Sequence, residues 1–323
     1  MKEIVTSTHD KQLKEDLAEV KDILGEIADT APGIVREDIR KLVSGNGKML
    51  RPSFTTIAGR YGNFEGERIY NMAAAVELLH NATLIHDDII DDASIRRGKP
   101  AIHMLHGNKL AILAGDYLFS RSIVVASEKS RTAQYGRLAG AVAKICEGEI
   151  IQDSEKYVLN PSIRSYKRRI AGKTAVLFAI SLYIGANEAG CSSDDCSTFS
   201  RIGYNVGMAF QIIDDLLDIT GTPAVTGKPT GRDITEGIYT LPVLYALEND
   251  DGRLGRLLSK YPYRRHTVKK ITKLVCESSG PEKAAAQAEL YSDRAMREIS
   301  KLDEGYTKYQ LSVLVKNLLK RNY

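Results

Sequence analysis

Apolar residues recur at helical spacing in long segments along almost the whole chain, and strand-type alternation is scarce. A first, strongly charged helix ends at Pro32-Gly33, and Gly45-Asn46-Gly47 breaks the chain before a run from Met49 to Arg60. From Arg68 to about Asp92 there is neither glycine nor proline. There Met72, Ala75, Val76, Leu79, Thr83 and Ile90 predict a helix buried on most sides. Further helices are predicted over 108–127, 131–158, 162–188 and 195–220, and Asn160-Pro161-Ser162 supplies a break followed by residues suited to a helix start. Residues 221–231 hold three glycines and two prolines and predict a loop. A shorter helix follows over Leu241–Asn249, and the more charged last third carries helices near 266–278, 281–303 and 306–320. With no internal repeat and no low-complexity tract, the pattern predicts one large all-α domain spanning 1–323.

Composition narrows this picture without redirecting it. Of 323 residues, 43% are apolar and 27% charged, which fits a soluble globular protein and excludes long disorder, collagen-like repeats and a disulfide scaffold. The net charge of +4 is too slight an excess to predict nucleic-acid binding, but it suits an anionic substrate. Cys146, Cys191, Cys196 and Cys276 have no CxxC spacing and point to a reducing compartment. The N-terminus is dense in Lys, Glu and Asp, unlike a signal peptide. No stretch approaches the ~20 consecutive apolar residues of a membrane span. A cytoplasmic location is expected.

The chemistry is concentrated in two acidic motifs. In His86-Asp87-Asp88-Ile89-Ile90-Asp91-Asp92, Asp87 and Asp91 share a helix face one turn apart. Four like charges inside apolar sequence must be neutralised, and hard divalent cations with carboxylate ligands do this. The arrangement returns at Phe210-Gln211-Ile212-Ile213-Asp214-Asp215-Leu216-Leu217-Asp218, where Asp214 and Asp218 share a face. Mg²⁺ binds through a few carboxylates plus substrate phosphates, so a diphosphate is the expected third party. The competing reading, a solvated helix face or an N-cap cluster, is adequate for one such motif and poor for two on apolar helices. Basic residues complete the constellation: Lys48 and Arg51 in Gly47-Lys48-Met49-Leu50-Arg51-Pro52, then Arg96-Arg97, Lys173 and Lys228. Arginine suits bidentate phosphate contacts and lysine point-charge contacts.

These residues resemble the trans-polyprenyl diphosphate synthases. The likeness runs through GKMLRP, ELLHNATLIHDDIIDDASIRRGKP, the KTA triplet, FQIIDDLLD and GKPTGRDITEG…TLPVLYAL, covering much of residues 45–247. It is strongest toward medium- and long-chain bacterial enzymes, including the large component of two-component hexaprenyl and heptaprenyl synthases. The resemblance implies an all-α isoprenoid synthase fold of helices around a deep central cavity, normally dimeric, with residues 1–30 as an N-terminal helix suited to the dimer. It implies an expected three Mg²⁺ ions per active site, held by Asp87, Asp91 and Asp214, with Asp88, Asp215 and Asp218 as supporting carboxylates. It places isopentenyl diphosphate on Lys48, Arg51, His80 and Arg97. The allylic partner, farnesyl or geranylgeranyl diphosphate, falls to Arg96, Lys173 and Lys228 with Thr174 and Gln211 nearby. Lys173, Thr174 and Gln211 then serve catalysis by directing dipoles at an allylic cation.

Other residues admit plainer roles. His80 also fits a satisfied core histidine, and His86 is expected to buttress its helix. His103 and His106, three apart, lack a third ligand and receive no role. Glu149 and Gln152 fall where relatives place polar groups near the cavity. Ile238 stands where many relatives carry a further lysine. Thr83 and Ala82 lie one turn below Asp87, with Leu79 and Leu78 a turn deeper. At ~5.4 Å per turn, about one isoprene unit, this predicts a product of roughly six to eight units. On this basis Ala82→Phe is expected to shorten it. The tail Lys320-Arg321-Asn322-Tyr323 either closes over the diphosphates or frays. The expected assembly is a homodimer or a heterodimer with a small regulatory subunit, with no nucleic acid and transient membrane contact for product release. A shorter-chain geranylgeranyl synthase, a non-catalytic interaction subunit and a terpene cyclase are the remaining alternatives.

Overall fold

The structure is a computed structural model and describes residues 8–43, 47–96, 98–130, 134–159, 162–221 and 230–319. Arg97, Lys228 and the tail 320–323 therefore lie outside the described residues. The described residues are almost wholly helical, as expected from the sequence. The elements run α1 (Thr8–Asp29), α2 (Gly33–Val43), α3 (Leu50–Gly59), α4 (Gly66–Ile90), β1 (Ile95–Arg96), β2 (Lys99–Pro100), α5 (Ile102–Lys129) and α6 (Tyr135–Ser154). Then come α7 (Ile163–Ile170), a π-helical turn (Ala171–Ala175), α8 (Val176–Glu188), α9 (Ser193–Thr220), α10 (Arg232–Thr235), α11 (Leu241–Glu248) and α12 (Arg253–Leu258). The chain finishes with α13 (Arg265–Cys276), α14 (Gly280–Ser300) and α15 (Tyr306–Leu319).

Residue contacts divide the chain into two compact units. The first comprises residues 1–140, 180–200 and 304–310, and α4 is its centre. Met72, Ala74, Ala75, Val76 and Leu78 have no exposed surface at all, because α1, α3 and α5 all pack on this helix. The absence of a polar stripe in the sequence reflects that packing. α1 is fastened by Asp16, which is fully buried and accepts hydrogen bonds from Arg60 Nε (2.7 Å) and the Tyr70 hydroxyl (2.9 Å). The Arg60 guanidinium also lies over the Phe64 ring, 3.9 Å from its centroid.

The second unit comprises residues 141–179, 201–303 and 311–323. Its apolar centre includes Tyr166, Ile212, Leu216, Tyr239, Val243 and Ile271. α11, with proline in its first turn, packs against α14 within it.

Two local differences from the sequence expectation have clear causes. α5 begins at Ile102, not 108, because a left-handed Gly107 (φ 79) interrupts the helical backbone and restarts the apolar pattern. The expected single helix over 162–188 opens as foreseen, with the Ser162 side chain accepting a hydrogen bond from Ser165 N–H (3.0 Å), but it contains the π turn. Two segments, Ile102–Lys129 and Ile163–Glu188, are long and apolar enough to cross a bilayer by composition alone, contrary to the sequence expectation. Such helices also form the cores of soluble proteins, and Ile163–Glu188 is 67% buried within this fold.

Candidate active site

The first acidic motif sits at the end of α4. Asp87 and Asp88 stand in the last turn, Asp91 is the C-cap, and Asp92 follows in a left-handed conformation (φ 48). A helix C-terminus carries partial negative charge, and the last turn of α4 has no basic residue. A carboxylate pair one turn apart at this end of a helix favours a cation beside it. Asp88 turns to another side of α4, is 4% exposed, and accepts from Arg96 Nε at 2.7 Å and also from Nη2. Beside this pair lies an open pocket of about 450 Å³ lined by Asp38, Lys41, Ile85, Asp88, Arg96 and Lys99, among others.

His80 is half-buried two turns earlier, and the Thr83 hydroxyl donates to its carbonyl (2.8 Å). Lys48 (exposed) and Arg51 (half-buried) flank the start of α3 in the same unit. His86 packs on α5, with Nε2 3.3 Å from the Ile112 carbonyl and 3.4 Å from Asp116, which is the buttress expected of it. His106 is occupied by Asp38 at 2.8 Å, so it does not pair with His103 as a metal site.

The second motif ends α9, again with no basic residue in the last turn. Asp218 accepts the backbone N–H groups of Arg232 and Asp233, both at 3.2 Å, so this carboxylate receives the first turn of α10. Asp215 is 5% exposed. It accepts from the Tyr166 hydroxyl at 2.6 Å and from Gln211 Nε2 at 2.8 Å, and the Gln211 carbonyl accepts from the Thr174 hydroxyl at 2.7 Å. Lys173 pairs with Glu149 at 2.7 Å, and Gln152 donates to Glu149 at 3.3 Å. Thus two polar groups, Lys173 with Glu149 and Gln152, and Thr174 with Gln211 and Asp215, meet at neighbouring residues of the π turn within the second unit.

Backbone proximity holds these groups. A Cβ at Gly207 would lie 2.5 Å from Ala175 Cα, and one at Gly148 would lie 2.9 Å from the Lys173 nitrogen. Only glycine lets α6 and α9 approach the π turn this closely. π turns of this kind recur at functional sites.

Burial disfavours the charged form of the carboxyls around the second motif. It pushes the Asp215 carboxyl up to about 6, against the opposing effect of its Tyr166 and Gln211 hydrogen bonds. Burial likewise raises Asp218 despite its two backbone donors. Asp233 is held well above the usual carboxylate range, first by burial and then by the charges of Asp218 and Asp215. For Asp215 the unfolded value near 3.9 lies below the folded value, so between about pH 4 and 6 the native state keeps a proton that the unfolded chain releases, and at neutral pH it is a carboxylate. Its contribution to stability is therefore fully present below about pH 4 and is lost as pH rises through about 6. In metal-free urea titrations, Asp215→Asn is expected to gain about 2–3 kcal/mol relative to wild type between pH 4 and pH 7.

Each motif offers hard oxygen ligands at a helix end with no basic residue in its last turn, a donor chemistry that fits Mg²⁺. Among the described residues no three His, Cys, Asp or Glu groups converge into a closed metal cage. Sequence reasoning did not single out Tyr166 or Asp233. Tyr166 lies in a charged stretch that carries no motif, and Asp233 lies inside the GRDITEG segment without a partner motif to mark it.

The polyprenyl synthetase family profile matches residues 32–277. Heptaprenyl diphosphate synthase component 2 of Geobacillus stearothermophilus is 36% identical over 96% of this chain and 97% of its own length. The crystal structure of heptaprenyl diphosphate synthase from Staphylococcus aureus superposes with a TM-score of 0.91, at 29% identity, over 96% of this chain and 99% of that one. That of a Caulobacter crescentus polyprenyl synthase complexed with calcium and isoprenyl diphosphate also gives 0.91, at 29% identity, over 99% of this chain and 100% of that one. With its helical fold and its two DDxxD helix ends, this chain belongs to the polyprenyl synthetase family of prenyltransferases.

Proposed function

We propose that this medium- to long-chain trans-prenyltransferase joins farnesyl or geranylgeranyl diphosphate to isopentenyl diphosphate in successive head-to-tail steps. The product is an all-trans polyprenyl diphosphate of about six to eight isoprene units. The observation that carries the reading is the pair of i, i+4 aspartate sets at apolar helix ends without basic residues in their last turns. The names of the heptaprenyl relatives support the product class.

Asp87, Asp91 and Asp214 hold the metal, with Asp88, Asp215 and Asp218 supporting. Bound Mg²⁺ supplies positive charge against the negative charge that develops on the departing diphosphate. Lys48, Arg51, His80 and Arg97 seat the isopentenyl diphosphate, and Arg96, Lys173 and Lys228 the allylic one. Arg96 and Lys173 are already positioned by Asp88 and Glu149. A guanidinium carries five donors and an ammonium three, so one carboxylate does not exhaust either. Thr174 and Gln211 direct oxygen dipoles at the allylic carbon as its bond to oxygen breaks. The isopentenyl double bond attacks that carbon, and the proton then lost passes to the released diphosphate. Apolar surroundings exclude the water that would quench the cation.

Chain length is read from the face of α4 below Asp87. Ala82 is 2% exposed, whereas Thr83 is half-buried. Thr83→Phe is expected to shorten the product by at least one isoprene unit, and Ala82→Phe to act in the same direction. Sizing the dephosphorylated products by mass checks both. An unchanged product length in both variants would remove this part of the reading.

A second reading makes the chain the catalytic member of a heterodimer with a small subunit; otherwise the assembly is a homodimer. The relative named component 2 favours it, as does Ile238. The Ile238 side chain is 7% exposed and its N–H donates to the Asp233 carbonyl, so the position contributes no charge. The proposed setting is the cytoplasm, with transient membrane contact when the lipophilic product leaves.

A further inference from the structure

Four side chains in the second unit form a continuous hydrogen-bonded line, and chemistry fixes the direction of every bond in it. Tyr166 has no exposed surface, and its hydroxyl faces Asp215 Oδ2 at 2.6 Å. A carboxylate only accepts, so Tyr166 donates. For the same reason Gln211 must turn its NH₂ toward Asp215 Oδ1, at 2.8 Å. The amide is planar, so its carbonyl oxygen is then committed to the other end, 2.7 Å from Thr174 Oγ1. That oxygen only accepts, so the Thr174 proton is committed to Gln211. What Thr174 Oγ1 has left to offer a ligand is lone pairs.

We propose that Tyr166 is a positioning residue for prenyl transfer: through Asp215 it locks the Gln211 amide, which holds the Thr174 proton and keeps the threonine oxygen a pure acceptor toward the ionising allylic carbon. The orientation matters because an O–H dipole turned the other way would oppose the positive charge it is meant to stabilise. Tyr166 lies about two turns before Thr174 and on α7, so it anchors the line from outside the π turn. The inference rests on the reading that Thr174 and Gln211 face the allylic chain.

The test is a double-mutant cycle on purified full-length protein with Mg²⁺, farnesyl diphosphate and isopentenyl diphosphate. Melting temperatures are measured first, and the assays run well below the lowest of them. Tyr166→Phe is expected to lower kcat roughly ten- to hundredfold, as loss of an outer-shell partner typically does, with both KM values within about twofold. Thr174→Val gives a comparable loss, and Thr174→Ser restores the wild-type rate. Because the residues act as one unit, the Tyr166→Phe/Thr174→Val double variant loses no more than Thr174→Val alone. Gln211→Asn, which shortens the amide, carries the same cycle against Thr174→Val if the phenylalanine variant does not fold. Multiplicative losses, or a Tyr166→Phe enzyme with full kcat and only a lowered melting temperature, overturn the proposal. A folded wild type that makes no polyprenyl product, alone or with a small partner subunit added, overturns the functional reading itself, and the proposal with it.

Discussion

Asp87→Ala lowers kcat/KM on the order of 10³-fold or more, while the melting temperature stays level or rises. The loss is large because the neighbouring carboxylate cannot take over: Asp88 is turned away from the Asp87–Asp91 face and is committed to Arg96. Removing one charged partner from a site that stabilises a leaving group costs about as much as removing an oxyanion donor, 10² to 10³, or more where a metal is held. Stability moves the other way because Asp87 repels Asp91 across one helical turn and both face the negative end of the α4 dipole. Steady-state kinetics paired with thermal melts separates this outcome from simple unfolding. Activity within tenfold of wild type would show that the first motif is not the metal-bearing one.

Asp16→Ala costs about 3 kcal/mol of stability, the low end for breaking a buried ion pair. The carboxylate is fully buried, and it organises residues from three places: α1 itself, Arg60 just after α3, and Tyr70 on α4. Its removal strands a guanidinium whose side chain is only 21% exposed, along with a phenol that burial and Asp16 push up to about 12. The exposed Lys11–Glu15 pair on the same helix is the control, because its loss costs no more than about 0.5 kcal/mol. Urea denaturation at pH 7 checks both, with unchanged slopes indicating that only the native state was affected.

Much of this fold is legible in the sequence because its signals are local. The glycine- and proline-free run of α4 announces a buried helix, Ser162 announces a helix start, and the i, i+4 aspartates announce a shared face. What stays hidden depends on packing between distant segments. The sequence around the π turn, Ala171-Gly172-Lys173-Thr174-Ala175, looks like ordinary helix; what distinguishes it is the close approach of Gly148 and Gly207. Asp16 is indistinguishable by sequence from Glu15 and Glu19, yet it alone of these three is buried. Tyr166 reads as one tyrosine in a charged stretch, and only the position of Asp215, 49 residues on, gives its hydroxyl a task. The acidic motifs are visible because they depend on one helix each; the line from Tyr166 to Thr174 is not, because it joins α7 and the π turn to α9.

Whether this chain builds a polyprenyl diphosphate from isopentenyl units is tested most directly with the purified protein, alone and with the small subunit of a heptaprenyl synthase. Each sample is incubated with Mg²⁺, labelled isopentenyl diphosphate and farnesyl or geranylgeranyl diphosphate, and the products are dephosphorylated and weighed. Mg²⁺-dependent incorporation ending at a defined polyprenol of about six to eight isoprene units is expected. No incorporation by a folded, monodisperse sample in either arm would contradict this function.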